Sequence, residues 1–351
     1  MLNIAGYSDE LRAYALRNEK LLHGFEGASF FVTGAAGLIG AYLIDLLIMA
    51  SREFGLGLKV YACDRDRKLL EERFPPEYAD VVSMLALDVC KDKLPEGQYD
   101  YIVHAASNTS PVDYATKPID TIWTNIFGTK KLCELAVRCK TQRFLFCSSV
   151  EAYGRNNGDV DAFKEDYSGY VDCNTVRANY PAAKRCSEAL LNAYAAEYPD
   201  FEFVTARIGR FYGPTVIRSD SKAPSQFIKN AVNNESIVLK STGTQLFSWG
   251  YVGDCATALL TILAKGERNN AYNVSDSGSC RMLKDFAGIA AQSGNGKLEF
   301  VEQTATEKAG YSKVDKATLD TSKLVALGWS AIHHLETGIP RTVKYLREIW
   351  R

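Results

Sequence analysis

The stretch Asn179-Tyr180-Pro181-Ala182-Ala183-Lys184 sets a tyrosine four residues ahead of a lysine. On a helix these positions share a face, and Pro181 is tolerated if the helix begins there. An ammonium beside a phenol favours the phenolate and lowers its pKa. Such a pair can take the proton of a hydroxyl. The same spacing also occurs on exposed helix faces that do nothing. Here it has company: Cys147-Ser148-Ser149-Val150-Glu151-Ala152-Tyr153-Gly154 follows an apolar strand-like run, at the lip where ligands of parallel sheets bind. Ser149 is placed to hydrogen-bond the hydroxyl that Tyr180 would deprotonate. Glu151 adds a carboxylate two residues on, whose bland alternative is a solvated loop position.

A second pattern concerns phosphate. Thr33-Gly34-Ala35-Ala36-Gly37-Leu38-Ile39-Gly40 carries glycines at GxxGxxG spacing between a strand and a helix. Gly34 permits the tight turn, Gly37 lets the backbone approach a pyrophosphate, and Gly40 lets helix and strand pack closely. The helix start at Leu38 and Ile39 offers unpaired N–H groups and a favourable dipole. Without a ligand this would be an ordinary strand–helix turn. Asp64 ends the next strand, where a carboxylate accepts ribose hydroxyls and repels a 2′-phosphate. That favours NAD over NADP, although Arg65 and Arg67 follow closely and would blunt the preference. Asp88 and Val89 close a third strand, where an adenine ring would sit.

These groups need a rigid frame. Strands are expected at Ser29–Thr33, Leu58–Cys63, Val81–Leu87, Tyr101–His104, Arg143–Cys147 and Glu202–Ile208. Helices are expected at Leu38–Ala50, Thr124–Arg138 and Pro181–Tyr198. Strands without polar alternation, joined by helices, imply a parallel sheet covered on both faces. This is the doubly wound α/β pattern. Ser8–Leu22 reads as a surface helix in an N-terminal extension, residues 1–27. The dinucleotide-binding domain would span 28–210. A smaller α/β substrate lobe would fill most of 211–351, with about 245–275 returning to the first domain.

Composition narrows the classes. The 351 residues suit about two domains, and 46% apolar with 24% charged residues is ordinary for a soluble protein. A net charge of −1 argues against nucleic acid. Nine scattered cysteines without a CxxC pair suggest reduced thiols and a cytoplasmic location. The four histidines do not join them at zinc-ligand spacing, so no metal is expected. Residues 1–27 lack the apolar core of a signal peptide. The longest apolar run, Ala41–Ala50, is interrupted by Asp45 and too short to span a bilayer.

Taken in order, Gly34 to Gly40, Asp64, His104-Ala105-Ala106-Ser107, Asn125-Ile126-Phe127-Gly128-Thr129, Ser149 with Tyr153-Gly154, Tyr180 with Lys184, and Ala206-Arg207 to Tyr212-Gly213-Pro214 resemble the extended short-chain dehydrogenases. The resemblance covers roughly residues 28–345. It includes Leu327-Gly328-Trp329 and Glu336-Thr337-Gly338-Ile339. That family holds nucleotide-sugar epimerases, 4,6-dehydratases and decarboxylases on a Rossmann-type fold. The resemblance implies NAD as cofactor, lined in addition by Ala105, Ala106 and Ser107. It implies catalytic roles for Ser149, Tyr180 and Lys184, supported by Asn125. It implies a nucleotide-sugar substrate touched by Ser107 and Asn179.

Two features look most like UDP-glucuronate decarboxylase. One is the segment from His104 through Ser110-Pro111-Val112-Asp113-Tyr114; the other is Glu151, which 4-epimerases usually lack. The expected reaction is therefore decarboxylation or 4,6-dehydration through transient oxidation at C4. A 4-epimerase or a net sugar dehydrogenase is the alternative. The chain departs from the family at Phe247, where an arginine commonly clamps the diphosphate, and at Arg210, where asparagine is common. Arg210 or Arg218 is expected to take over a phosphate contact. The family also implies a homodimer packed through the helices 124–138 and 181–198, with Leu190, Leu191 and Tyr194 as candidate contacts.

Overall fold

The computed structural model describes residues 1–109, 111–301 and 315–351. It opens with α1 (Ala5–Arg17) and α2 (Glu19–His23). A regular alternation follows: β1 (Ser29–Thr33), α3 (Leu38–Phe54), β2 (Lys59–Asp64), α4 (Arg67–Arg73), β3 (Val82–Ala86) and β4 (Tyr101–His104). Then come α5 (Pro111–Thr116), α6 (Pro118–Cys139), β5 (Arg143–Ser149), α7 (Asn179–Glu197) and β6 (Phe203–Ile208). All five residues of β1 are buried, so both faces of this strand are covered. The parallel sheet runs β3-β2-β1-β4-β5-β6, and its order reverses between β1 and β4. Ligands of such sheets bind at that switch point.

The remaining chain divides its work. β7 (Arg210–Tyr212), α8 (Ala223–Val232), β8 (Ile237–Leu239) and β9 (Leu246–Tyr251) build the second lobe. α9 (Val252–Lys265) then packs back on α3, β5 and β6, and β10 (Asn270–Val274) pairs with β6 as the seventh parallel strand. β11 (Cys280–Met282), α10 (Leu283–Ser293), β12 (Leu298–Phe300), β13 (Lys316–Ala317), α11 (Ser322–Ala326) and α12 (Leu335–Ile349) complete the described residues. β7, β11 and β13 all pair with β9, and β8 pairs with β12. So the second lobe hangs on β9, while the two elements after β9 belong to the main sheet. Among the described residues no helix is long and apolar enough to cross a membrane.

One expectation is corrected. The surface helix expected at Ser8–Leu22 is broken at Asn18, and α1 buries Tyr7, Leu11, Tyr14 and Ala15. Their spacing of four, three and one residues forms one helical stripe. That stripe lies against α3 and α9. The polar ends of its tyrosines are satisfied: Tyr7 donates to Asp45 at 2.6 Å and Tyr14 to Asp254 at 3.0 Å. Leu11→Ala is therefore expected to cost about 2–5 kcal/mol in a urea titration. A surface helix would lose no more than about 0.5 kcal/mol, and a value that small would return α1 to the surface.

Candidate active site

At the switch point the backbone leaves no room for side chains. Gly34 has φ +67°, and a Cβ there would stand 2.8 Å from the Ala105 carbonyl carbon and the Ala106 nitrogen. A Cβ on Gly40 would stand 2.3 Å from the Gly34 oxygen. These contacts let β1, β4 and α3 meet around a hollow turn. α3 begins at Leu38 after Gly37, so the N–H groups of Leu38, Ile39 and Gly40 head the helix without intrahelical acceptors. Asp64 ends β2 and accepts from the Ala36 and Asp66 N–H groups, each at 3.3 Å. Its carboxylate thus lies against the glycine turn. A pyrophosphate on the helix terminus and a ribose on Asp64 fit this cradle.

The other expected cofactor residues are arranged as follows. Ala105 and Ala106 are tied to Thr33 through their N–H groups, at 3.2 Å each. Asp88 accepts from the Cys90 N–H at 2.8 Å and so caps its own turn. Val89 is buried beside Gly128. Arg65 does not turn back on Asp64: it reaches Asn108 at 3.2 Å.

β5 and α7 bring the second set together. Lys184 is buried and donates to the Cys147 carbonyl at 2.7 Å. Its Nζ lies 4.6 Å from the Phe146 ring centre and 5.7 Å from that of Tyr180. Burial pulls its pKa down to about 8. Burial likewise raises the Tyr180 phenol above its ordinary value, and nearby Glu151 adds to the rise. The hydrogen bond with Ser149 and the charge of Arg177 act the other way. Desolvation therefore outweighs the lysine effect expected from the spacing alone. Ser149 also accepts from the Glu151 N–H at 3.2 Å, closing a single tight turn at Val150–Tyr153. Asn125 accepts from Ser107 at 3.1 Å through its side chain, and its main-chain carbonyl takes the Ser187 hydroxyl at 2.8 Å. That carbonyl locks α6 to α7 next to Lys184.

Beyond Tyr180 lies a charged wall. Both oxygens of Glu151 accept from Arg177, at 2.7 and 2.8 Å. Arg177 also covers the Tyr114 ring at 4.7 Å, and Tyr114 stacks on Tyr180 with centres 4.9 Å apart. Asn179 donates to the Tyr114 carbonyl at 2.7 Å and leaves its Oδ1 buried and without a partner. Arg210 packs its guanidinium on Phe247, 3.8 Å from the ring centre. Arg218 is not part of this group. It is exposed and binds the Trp350 carbonyl near the end of α12.

The sequence order thus brings Ser149, Tyr180, Lys184, Glu151, Asn125 and Ser107 into one cluster. It missed Arg177, a lone arginine in the single helical turn Val176–Ala178 with no pattern to mark it. It also missed that His104, buried and lowered to about 3 mainly by burial, stays neutral against Thr33. Ser110, within the segment quoted above, lies outside the described residues. Among the described residues no three His, Cys, Asp or Glu side chains cluster as a metal site would require.

A parallel sheet with a glycine turn at its switch point, facing a buried tyrosine and lysine, defines a dinucleotide-dependent enzyme of the extended short-chain dehydrogenase class. Residues 30–275 match the profile of the NAD dependent epimerase/dehydratase family, and the chain belongs to that family. UDP-glucuronic acid decarboxylase 1 of Xenopus tropicalis is 28% identical over 94% of this chain and 74% of its own length. UDP-glucuronic acid decarboxylase 4 of Arabidopsis thaliana is 30% identical over 90% of this chain and 68% of its own. In fold, the chain is similar to a UDP-glucose 4-epimerase from Thermotoga maritima, with a TM-score of 0.77 and 22% identity over 92% of this chain and all of that one. NAD is the cofactor of the family, and the Gly34 turn with Asp64 fits it. NAD+ is expected to bind at least about tenfold better than NADP+, a difference of about 1.4 kcal/mol. Equal or reversed affinities in a calorimetric titration would sink the role given to Asp64.

Proposed function

We propose that the enzyme decarboxylates a nucleotide-linked hexuronic acid, such as UDP-glucuronate, through a transient C4 ketone. The carrying observation is the Glu151–Arg177 pair set beside Tyr180, together with relatives named as UDP-glucuronic acid decarboxylases over nine-tenths of the chain. The Gly34 turn and Asp64 would hold NAD+, which would supply the acceptor for the C4 hydride and its return. Tyr180, as phenolate, takes the C4 hydroxyl proton while Ser149 orients that hydroxyl. Lys184 supplies the positive charge that holds the phenolate, and Asn125 fixes the spacing of α6 and α7. The C4 ketone turns a C6 carboxylate into a β-keto acid, which loses CO2 and leaves an enolate needing a proton at C5. Glu151, steadied by Arg177, is placed to deliver or relay that proton. Tyr180 finally returns its proton to the C4 oxygen. Ser107, the free Oδ1 of Asn179 and Arg210 line the substrate side, and Arg218 is left out of it.

Turnover of UDP-glucuronate in D2O is expected to place deuterium at C5 of a pentose product, read by NMR. Tyr180→Phe should slow turnover at least about 10²-fold, as loss of a general base does, with NAD+ affinity kept. A product lacking C5 deuterium and still carrying C6 would replace this reading with the 4-epimerase one. Stoichiometric release of NADH would instead mark a net dehydrogenase.

The same reading includes a cytoplasmic homodimer. Its nine thiols are all free. Helix α6 exposes Ile119 (67%), Trp123 (53%) and Phe127 (39%) along one side, apolar surface that no described residue covers. Of the contacts expected on α7, Leu191 is fully buried in the core and so unavailable. Light scattering at micromolar concentration should give a dimer for the wild type and a monomer for Trp123→Asp. A monomeric wild type counts against the dimer.

A further inference from the structure

Among the described residues, the buried and part-buried arginines pair with carboxylates or donate to main-chain carbonyls, as Arg185 does to Ala152, Tyr153 and Gly169, and Arg210 does neither. Arg207 pairs with Glu188 at 2.7 Å, Arg73 pairs with Asp45, and half-exposed Arg177 pairs with Glu151 at 2.7 Å. Arg210 has no carboxylate within ion-pair distance among the described residues. Its Nε is buried without a hydrogen-bond partner. A guanidinium does not give up its charge in a protein, so the site holds a cation without an ion-pair partner among the described residues. Burying one carries a large desolvation cost unless a partner with opposite charge is supplied.

The position of the charge is fixed from two sides. β7 pairs with β9 in register Arg210↔Trp249, and Phe247 lies two residues along the same face of β9. The guanidinium carbon sits over the Phe247 ring, 3.8 Å from its centre. Glu151, Tyr114 and Arg177 all act on Arg210 electrostatically, so it shares their environment around Tyr180. Arg177 is already spent on Glu151. Among the described residues, Arg210 is the cation left open on this wall.

We propose that Arg210, held over the Phe247 ring, is the receptor for an anionic oxygen group of the substrate and thereby sets the substrate class. Phosphate and carboxylate share the chemistry that a planar guanidinium binds in bidentate fashion. The inference rests on the nucleotide-sugar reading above and adds a residue that decides which sugars enter. Phe247 acts as a positioning residue, because it touches the guanidinium and not the anion.

The test is calorimetric titration of the NAD-loaded full chain with UDP, UDP-xylose and UDP-glucuronate, comparing wild type with Arg210→Gln. A loss of tenfold or more for all three ligands assigns Arg210 to the diphosphate. A loss confined to UDP-glucuronate assigns it to the sugar carboxylate. Equal affinity of both proteins for all three overturns the proposal. Melting temperature should not fall in the glutamine variant, since an uncompensated charge has been removed. Arg210→Met serves if the glutamine variant does not fold, and equal affinity there is equally fatal. If the wild type binds no nucleotide sugar, the functional reading fails separately. Thermal shifts with inorganic pyrophosphate and with glucuronate then decide Arg210. A shift lost in the variant supports the receptor, and shifts unchanged for both probes overturn it.

Discussion

The Lys184 ammonium lies buried at the carboxyl end of the sheet, with the Cys147 carbonyl 2.7 Å away as its acceptor. Much of the site follows from keeping one charge there. α7 must start at Asn179 so that Lys184 falls one turn behind Tyr180. α7 must stay close to α6, which the Ser187–Asn125 bond secures at 2.8 Å. His104, close enough to feel the ammonium, is kept neutral by burial and by that charge. A second cation there would be repelled in a low-dielectric interior. The same desolvation holds Tyr180 protonated in the absence of another positive charge. A cationic cofactor ring is the kind of group that would relieve it.

The charges around this ammonium are sorted by depth. Glu188 neutralises Arg207 beneath the sheet end and accepts the Ser148 hydroxyl at 2.5 Å, bracing the strand that carries Ser149. Glu151 and Arg177 neutralise each other at the rim. The open cation, Arg210, rests on an aromatic face instead of a carboxylate. Paired charges define shape, and an unpaired charge defines what is bound.

The lobe that carries Phe247 is itself held by a buried polar knot. Glu10 of α1 accepts from Tyr42 of α3 at 2.7 Å, from Tyr251 at the end of β9 at 2.6 Å, and from Tyr345 of α12 at 3.3 Å. Burial raises the Glu10 pKa, and the three phenols oppose that rise. Gly253 lies two residues beyond Tyr251, and a Cβ there would stand 2.5 Å from the Tyr14 ring. Thus α1 and α12 clamp β9, the strand whose Phe247 ring lies beneath Arg210. A half-satisfied network of this kind would be costly, which explains why the N-terminal helix is part of the core.

Much was legible in the sequence because it is local. β1 and β4 fall at Ser29–Thr33 and Tyr101–His104 as their apolar runs predict, and the other expected strands and the helices expected from Leu38 and Pro181 end within a few residues of their limits, whereas the helix expected from Thr124 already starts at Pro118. Strand burial and helix caps depend on neighbours in the chain. The GxxGxxG turn and the Tyr180–Lys184 spacing are equally local, and the glycines meet the close approaches their spacing implies. What the sequence could not determine is which distant side chains share a space. Nothing in the chain near Arg177 points to Glu151, 26 residues away, or near Glu10 to Tyr251, 241 residues away. The N-terminal segment reads as a surface helix, and only the packing of α3 and α9 on it shows that its Tyr7, Leu11, Tyr14 and Ala15 stripe is core. Likewise Phe247 and Arg210 read as two separate departures from a family pattern. Only the pairing of β7 with β9 sets the ring beneath the guanidinium, because strand register, not sequence distance, fixes which side chains meet.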